Sequence, residues 1–325
     1  MCISRNQNLQ NVPSDNIKRC SAAIPLKEKE YTMYDGYHAL ASAYDRLNAD
    51  IDYQAWSQFI NTCFEKYLPA KPEIVLDLAC GTGRMTFPLL ELGYDMIGID
   101  GSEDMLAEAY FRSDERAEKF LDKNGDLPTD GSYNSPLFLQ QDMRNFELYG
   151  TVDATVCCLD SINYLTDEGD LDKCLSCIHL YLAPGGLLIF DVNSPYKFEQ
   201  IYGNNAYVLE DTADDGRGAV FCGWQNEYDP QSRLCKFYLS VFEEQDDRSY
   251  RRADEEQTER CYTQEEITEA LDKAGFDLYG IFSNFDFSPI TETSERWYIV
   301  ARTRKRGDWY LCEDLKDRKA PLHTK

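Results

Sequence analysis

Positive charge is scarce in this sequence. Lys and Arg total 33 against 58 Asp and Glu, a formal net charge of −25. Such a surface repels polyanions, and a protein that grips nucleic acid normally shows a basic footprint. The one dense basic run, "ARTRKRGDW" at residues 301–309, is outweighed by acid elsewhere, so an RNA substrate is disfavoured. Long apolar runs are missing too: none reaches the ~18 residues that a membrane span requires. The opening "MCISRNQNLQNVPSDNIKRC" has no hydrophobic signal core, and the expectation is a cytoplasmic protein without membrane contact. Histidine is nearly absent, with three residues. "CLSC" at Cys174 and Cys177 therefore has no second C-x-x-C pair or Cys/His cluster to complete a four-ligand zinc site. Cys174 instead falls on a helical face with Leu171, Leu175, Ile178 and Leu182. The twelve cysteines are scattered through apolar runs such as "TVCCLD", a usage that suits a reducing compartment.

What is present is a core. The chain of 325 residues is 43% hydrophobic and 13% aromatic, enough for one large domain with a smaller module. Residues 1–30 are polar and non-periodic and are expected to be a disordered tail, and residues 304–325 a polar tail. Trp56, Phe59, Ile60, Cys63, Phe64 and Tyr67 recur at helical spacing and make one apolar face. From Glu73 short apolar strands alternate with helices: "EIVLDL", "DMIGID", "LFLQQD", "DATVCCLD" and "GGLLIFDV". Continuous apolar strands between helices predict a doubly wound α/β fold around a mostly parallel sheet. The region 196–262 reads as a small antiparallel β insertion, and residues 263–303 as a helix plus the last strands of the sheet. Thr263 and Glu266 form a capping-box pattern at the start of that helix, and Gly275 ends it.

Four strands end at or near an aspartate: Asp77, Asp100, Asp142 and Asp160. Ligands of open α/β sheets bind outside that edge, so four acids in register predict a site. After the first strand, "VLDLACGTGRM" turns through Ala79, Gly81 and Gly83. The glycines allow close approach of main chain to ligand, and the next helix is expected to aim free N–H groups at the same point. Asp100, at the end of the following strand, is placed to take both hydroxyls of a ribose. Two nucleotide cofactors fit, NAD-type and S-adenosylmethionine. The dinucleotide pattern G-x-G-x-x-G is incomplete, because Thr86 stands where its third glycine belongs. Asp77 puts negative charge before the turn, unfavourable for a pyrophosphate and favourable for a sulfonium compound with an amino group.

Together, "VLDLACGTGRM", "GIDGSEDML", "QQDMRNF" and "CCLDSINYL" resemble the class I S-adenosylmethionine-dependent methyltransferases, in particular bacterial small-molecule-type members with a β insertion. The resemblance spans residues 34 to 303 and implies a seven-stranded Rossmann-like sheet. Many members carry glycine where this chain has Ala79. By resemblance, Asp77 supports the cofactor's amino group, directly or through water. Main chain at Ala79, Cys80, Gly81 and Gly83 passes its amino-acid portion. Asp100 binds the ribose, flanked by Gly101 and Ser102; Met105 packs on the adenine; Asp142 and Met143 take its edge and face. Ser102 also reads as a helix N-cap, and both roles are compatible. The segment "YDGYHALASAYDRLNADIDYQAW" resembles the family's lid, with Tyr34, Tyr37, Tyr44 and Trp56 as candidates; Tyr44 is the best of them, and Trp56 reads better as core.

Leu159 is expected against the cofactor, with Asp160, Asn163 and Tyr164 nearest the acceptor. Methyl transfer is an in-line displacement, in which positioning the acceptor can supply about 7–11 kcal/mol. A base is needed only for an acceptor that arrives protonated; Asp160 is the candidate, or else it caps a turn. The expected activity is methylation of an N or O atom of a small-molecule acceptor. The alternatives are a cofactor sensor without turnover, a nicotinamide-dependent oxidoreductase and an RNA methyltransferase. The "N/D-P-P-Y" signature of some amino-group methylators of bases is absent. No motif specifies the acceptor or the oligomeric state.

Overall fold

A computed structural model describes Val12–Pro13 and residues 40–211 and 218–305. Tyr34 and Tyr37 lie outside the described residues. In chain order the elements are β1 (Val12–Pro13), α1 (Ala41–Leu47), α2 (Tyr53–Tyr67), β2 (Ile74–Leu78), α3 (Thr86–Glu91), β3 (Asp95–Asp100), α4 (Glu103–Glu118), β4 (Leu137–Gln140), β5 (Val152–Cys157), α5 (Asp170–Tyr181), β6 (Leu182–Asn193), β7 (Asn205–Asp211), β8 (Val220–Asp229), β9 (Leu234–Glu244), β10 (Tyr250–Arg260), α6 (Gln264–Lys273), β11 (Phe276–Phe282) and β12 (Arg296–Thr303). A short 3-10 turn, Ser161–Tyr164, follows β5.

Seven strands form one sheet in the order β11-β12-β6-β5-β2-β3-β4. The pairs from β6 to β4 are parallel, while β12 runs antiparallel to β6 and to β11. Strand side chains alternate between faces, so each apolar strand serves two cores. Val75 joins α2 and α3 on one face; Leu76 and Leu78 join α5 and α6 on the other. This is the doubly wound, mostly parallel architecture that the strand pattern predicts. Its helix starts follow from local chemistry. The Asp52 carboxylate accepts from the N–H of Ala55 at 2.8 Å, Ser102 Oγ accepts from Met105, and Thr263 with Glu266 closes a capping box.

The insertion's own strands fall within 196–262, and one further strand joins them from outside it. Strands β7 to β10 form an antiparallel meander, with β1 paired on β7 as a fifth strand inside the stretch expected to be an unstructured tail. The inner face of the meander, including Tyr207, Trp224 and Phe237, packs on α1 and Met105. That contact sets the insertion and α1 beside the C-terminal edge of the main sheet. Among the described residues no helix is long and apolar enough to cross a membrane.

Candidate active site

The chain leaves β2 toward β3 and β4, then returns to β5 on β2's other side. A crevice forms where the strand order reverses, outside the strand C-termini. The cleft there is lined by Tyr44, Asp77, Ala79, Cys80, Gly81, Asp100, Gly101, Ser102, Met105, Asp142, Met143, Leu159 and Tyr164 among the residues selected from sequence. Gly83, Asp160 and Asn163 do not line it. Tyr53, Thr82, Arg84, Gln141 and Ser161 line it without having been selected.

The glycine turn is built around two aspartates. Asp77 is fully buried; Thr86 Oγ1 donates to its Oδ2 at 2.5 Å. Burial pushes its carboxyl up to about 7, with Asp100 adding to the rise against the Thr86 hydrogen bond. Asp100 accepts from the Gly81 N–H through Oδ2 and from the Ser102 N–H through Oδ1, both at 2.8 Å. Burial raises its carboxyl as well, opposed by those backbone donors. Ala79 and Gly81 both adopt left-handed backbone, φ 58° and 54°. Three of the turn's N–H groups are internally spent: Cys80 donates to Ile99 O, Gly81 to Asp100 and Gly83 to Cys80 O. Helix α3 starts only at Thr86 and has six residues. The dipole of a long helix beginning directly at the glycine turn, as expected from the sequence, is therefore not what α3 provides. Gly83 (φ 77°) is also reassigned: a Cβ there would lie 3.0 Å from Phe87 and 3.4 Å from Phe138. Its freedom serves helix–sheet packing.

Across the cleft, Asp142 is held by a forked pair with Arg144, whose other arm reaches Asp170 at 2.9 Å. Met143 and Met105 add apolar wall. Ser102 fills its expected cap role while lining the cleft.

The largest correction concerns Asp160. It is fully buried, with its Oδ1 2.8 Å from Arg296 Nη2 and its Oδ2 accepting from Asn193 Nδ2 at 2.8 Å. Arg296 also pairs with Asp191, whose Oδ2 accepts the Asp160 N–H at 2.9 Å. Burial would raise the Asp160 carboxyl, but Arg296 and then Lys197 outweigh it and hold it below the ordinary range. A buried, strongly acidic carboxylate facing away from the cleft is no general base. Its role is mechanical, because Leu159 and Asp160 both have left-handed backbone, φ 61° and 55°. Such conformations cost roughly 1–3 kcal/mol each and persist only where the surroundings over-determine them. The ion-pair network supplies that restraint and turns Leu159, Ser161 and Tyr164 toward the cleft. Asn163 works from the same buried layer, accepting the Asn193 N–H at 2.9 Å and donating to Arg260 O at 2.8 Å. Tyr164 reaches the insertion directly, its hydroxyl donating to Gln257 at 2.8 Å.

Helix α1 closes another side. Tyr44 lines the cleft, and the adjacent Asp45 accepts from Thr82 Oγ1 at 2.7 Å and pairs with Arg112 of α4. Arg46 pairs with Asp211 of β7 at 2.5 Å. The helix is thereby tied to the glycine turn and to the insertion. Trp56 belongs to the core, packed on Phe285 and Tyr298.

Comparison with known proteins decides the family. Residues 75–186 match the family described as "Methyltransferase domain". YqeM of Bacillus subtilis (strain 168), named as a methyltransferase, is 32% identical over 270 residues, covering 83% of this chain and 98% of its own. An S-adenosylmethionine-dependent methyltransferase from Clostridium acetobutylicum ATCC 824 aligns with a TM-score of 0.67 at 32% identity, over 82% of this chain and 98% of that one. The chain belongs to the S-adenosylmethionine-dependent methyltransferases. A glycine/sarcosine N-methyltransferase of Parasynechococcus marenigrum (strain WH8102) is 28% identical over 209 residues, 63% of this chain and 64% of its own.

The cleft of this methyltransferase fits its cofactor by donor chemistry. Carboxylates at Asp77, Asp100 and Asp142 suit an ammonium, a ribose diol and a purine amino group, and the two methionines suit a flat ring. Of the lining residues missed in the sequence, Arg84 and Gln141 sat one position beyond Gly83 and one before Asp142. Tyr53 gave no signal, since its ring belongs equally to the apolar face of α2.

Proposed function

We propose that this methyltransferase methylates a nitrogen of a small-molecule acceptor, and that the residues of the cleft divide between donor and acceptor as follows. Asp77, Ala79, Cys80, Gly81, Asp100, Gly101, Ser102, Met105, Asp142, Met143 and Leu159 bind the donor; Tyr44 covers it; Tyr164 and Ser161 face the acceptor. S-adenosylmethionine, when bound, supplies a methyl carbon activated by an adjacent sulfonium. The chain's own contribution is positioning and water exclusion. The observation that carries the nitrogen reading is the locked state of Asp160. With it buried against Arg296, the acceptor side offers a phenol and a hydroxyl but no carboxylate base. A hydroxyl acceptor needs a base to generate its nucleophile; an amine that arrives neutral carries its own lone pair. The glycine/sarcosine N-methyltransferase relative points the same way. The test is a turnover screen with S-adenosylmethionine against matched panels of small amines, alcohols and carboxylic acids. Selective turnover of amines is expected; turnover confined to alcohols overturns the nitrogen reading, and binding without any turnover favours a sensor.

Asp77 predicts a pH dependence. Its carboxyl sits near 7 in the ligand-free protein, and an ammonium partner favours the ionised form. Affinity for S-adenosylhomocysteine should therefore rise with pH from about 6 to about 8 and then level off. Asp77→Asn should flatten that rise. The ligand-free protein should show the opposite trend: a carboxyl raised by folding gives stability that is lost as pH climbs from the ordinary carboxylate range through about 7. Calorimetric titrations and urea melts across this range check both signs.

A further inference from the structure

We propose that the Arg84 guanidinium, set over the Tyr53 ring, is the subsite of the cleft that receives a ligand carboxylate. The inference rests on the methyltransferase reading and adds to it a residue and a ligand group.

The charged side chains lining the cleft are Asp77, Asp100, Asp142 and Arg84. Three carboxylates welcome an ammonium or a sulfonium and repel a carboxylate. A ligand with an amino-acid end carries both signs, so its carboxylate needs a specific donor. Several donors of the turn are already engaged. The N–H groups of Cys80, Gly81 and Gly83 are spent within the turn, and Thr82 Oγ1 donates to Asp45 at 2.7 Å. Arg112 is tied to Asp45 and to Thr82 O, and Arg144 to Asp142 and Asp170.

Arg84 differs from those arginines. Among the described residues it makes no hydrogen bond and no ion pair; its guanidinium carbon lies 4.8 Å from the centroid of the Tyr53 ring. An aromatic face restrains a guanidinium set over it by cation–π attraction while leaving its N–H donors available. The guanidinium fork matches a carboxylate with two parallel hydrogen bonds. Tyr53 is itself fixed, because it opens α2 directly after the Asp52 cap and is buried. The pair is thus a restrained cation beside the glycine turn, in a cleft whose other fixed charges are negative.

The carboxylate can come from the amino-acid end of the cofactor or from an amino-acid acceptor. The full-length protein and its Arg84→Gln and Arg84→Lys variants are titrated calorimetrically with S-adenosylhomocysteine and with its decarboxylated aminopropyl analogue. A cofactor source predicts that wild type prefers the carboxylate-bearing ligand by about tenfold or more. Arg84→Gln then erases the preference, and Arg84→Lys restores part of it. If the preference survives in Arg84→Gln, S-adenosylhomocysteine-loaded proteins are titrated with sarcosine; saturable binding by wild type that Arg84→Gln loses assigns the subsite to the acceptor. Loss in neither arm overturns the proposal. A wild type that fails to bind S-adenosylhomocysteine at all refutes the functional reading instead, so the two failures are distinguishable.

Discussion

Asp100→Ala is expected to weaken S-adenosylhomocysteine binding by about a hundredfold or more. Two losses combine in that figure. The carboxylate that would take the ribose hydroxyls disappears, and charge-assisted hydrogen bonds of that kind are worth roughly 1.5–3 kcal/mol each. The same carboxylate also organises the turn, since its two oxygens hold the N–H groups of Gly81 and Ser102. Without them the left-handed turn at Ala79–Gly81 loses its tether to β3, and α4 loses part of its N-terminal anchor. Asp100→Asn keeps one acceptor oxygen and should fall between, with a loss of roughly tenfold. Isothermal titration of wild type and both variants measures the series. An alanine variant within threefold of wild type would show that Asp100 serves the turn and not the ligand.

How far the sequence spoke depends on how locally each feature is encoded. The parallel core was legible because each strand is a continuous apolar run ending at a turn. The acidic wall of the cleft was legible for a related reason: Asp77, Asp100 and Asp142 sit at or near strand ends, and position in a parallel sheet converts directly to position at one edge. The turn's geometry was legible in part. Glycines announced tight backbone, but only coordinates show that Gly81 faces the cleft and Gly83 the core. Nothing in "GTGRM" indicated that the helix would begin three residues after Gly83, or that the N–H groups of Cys80, Gly81 and Gly83 would be taken up by the turn and β3.

Asp160 misled for a long-range reason. Asp160 looks like its counterparts at the other strand ends, yet its charge partner is Arg296, 136 residues away. No periodicity or spacing connects the two. The antiparallel return of β12 alongside β6 brings Arg296 opposite Asn193, two residues from Asp191. One further strand, β10, delivers Glu259 to Asn193 Nδ2 at 3.0 Å. The polar centre of that region is therefore assembled by topology, from β5, β6, β10 and β12. Its effect on the cleft is indirect, through the strained Leu159–Asp160 link.

That assembly gives the second large expectation. Arg296→Ala should lower the free energy of unfolding at pH 7 by about 3–5 kcal/mol, because it leaves Asp160 and Asp191 buried without their cation. This is a large share of the roughly 5–15 kcal/mol typical of a folded protein. The loss should be greatest at neutral pH and shrink as pH falls into the ordinary carboxylate range. A carboxylate held below that range by folding contributes stability that is present above it and lost on acidification. Glu259 acts in the opposite sense. Burial, and then the nearby Asp160 charge, push its carboxyl up to about 8, so its contribution is lost as pH rises through about 8. Asp160→Asn should bring Glu259 down toward its ordinary value and soften the alkaline loss. Combining Arg296→Met with Asp160→Asn and Asp191→Asn should recover much of the stability, since neutral replacement of a buried ion cluster removes the uncompensated charge. Urea unfolding of the four proteins from pH 5 to 9 separates these effects. A uniform offset of Arg296→Ala across that range would show that the residue acts through its packing on Trp56, whose ring lies 5.7 Å from the guanidinium, and not through its charge.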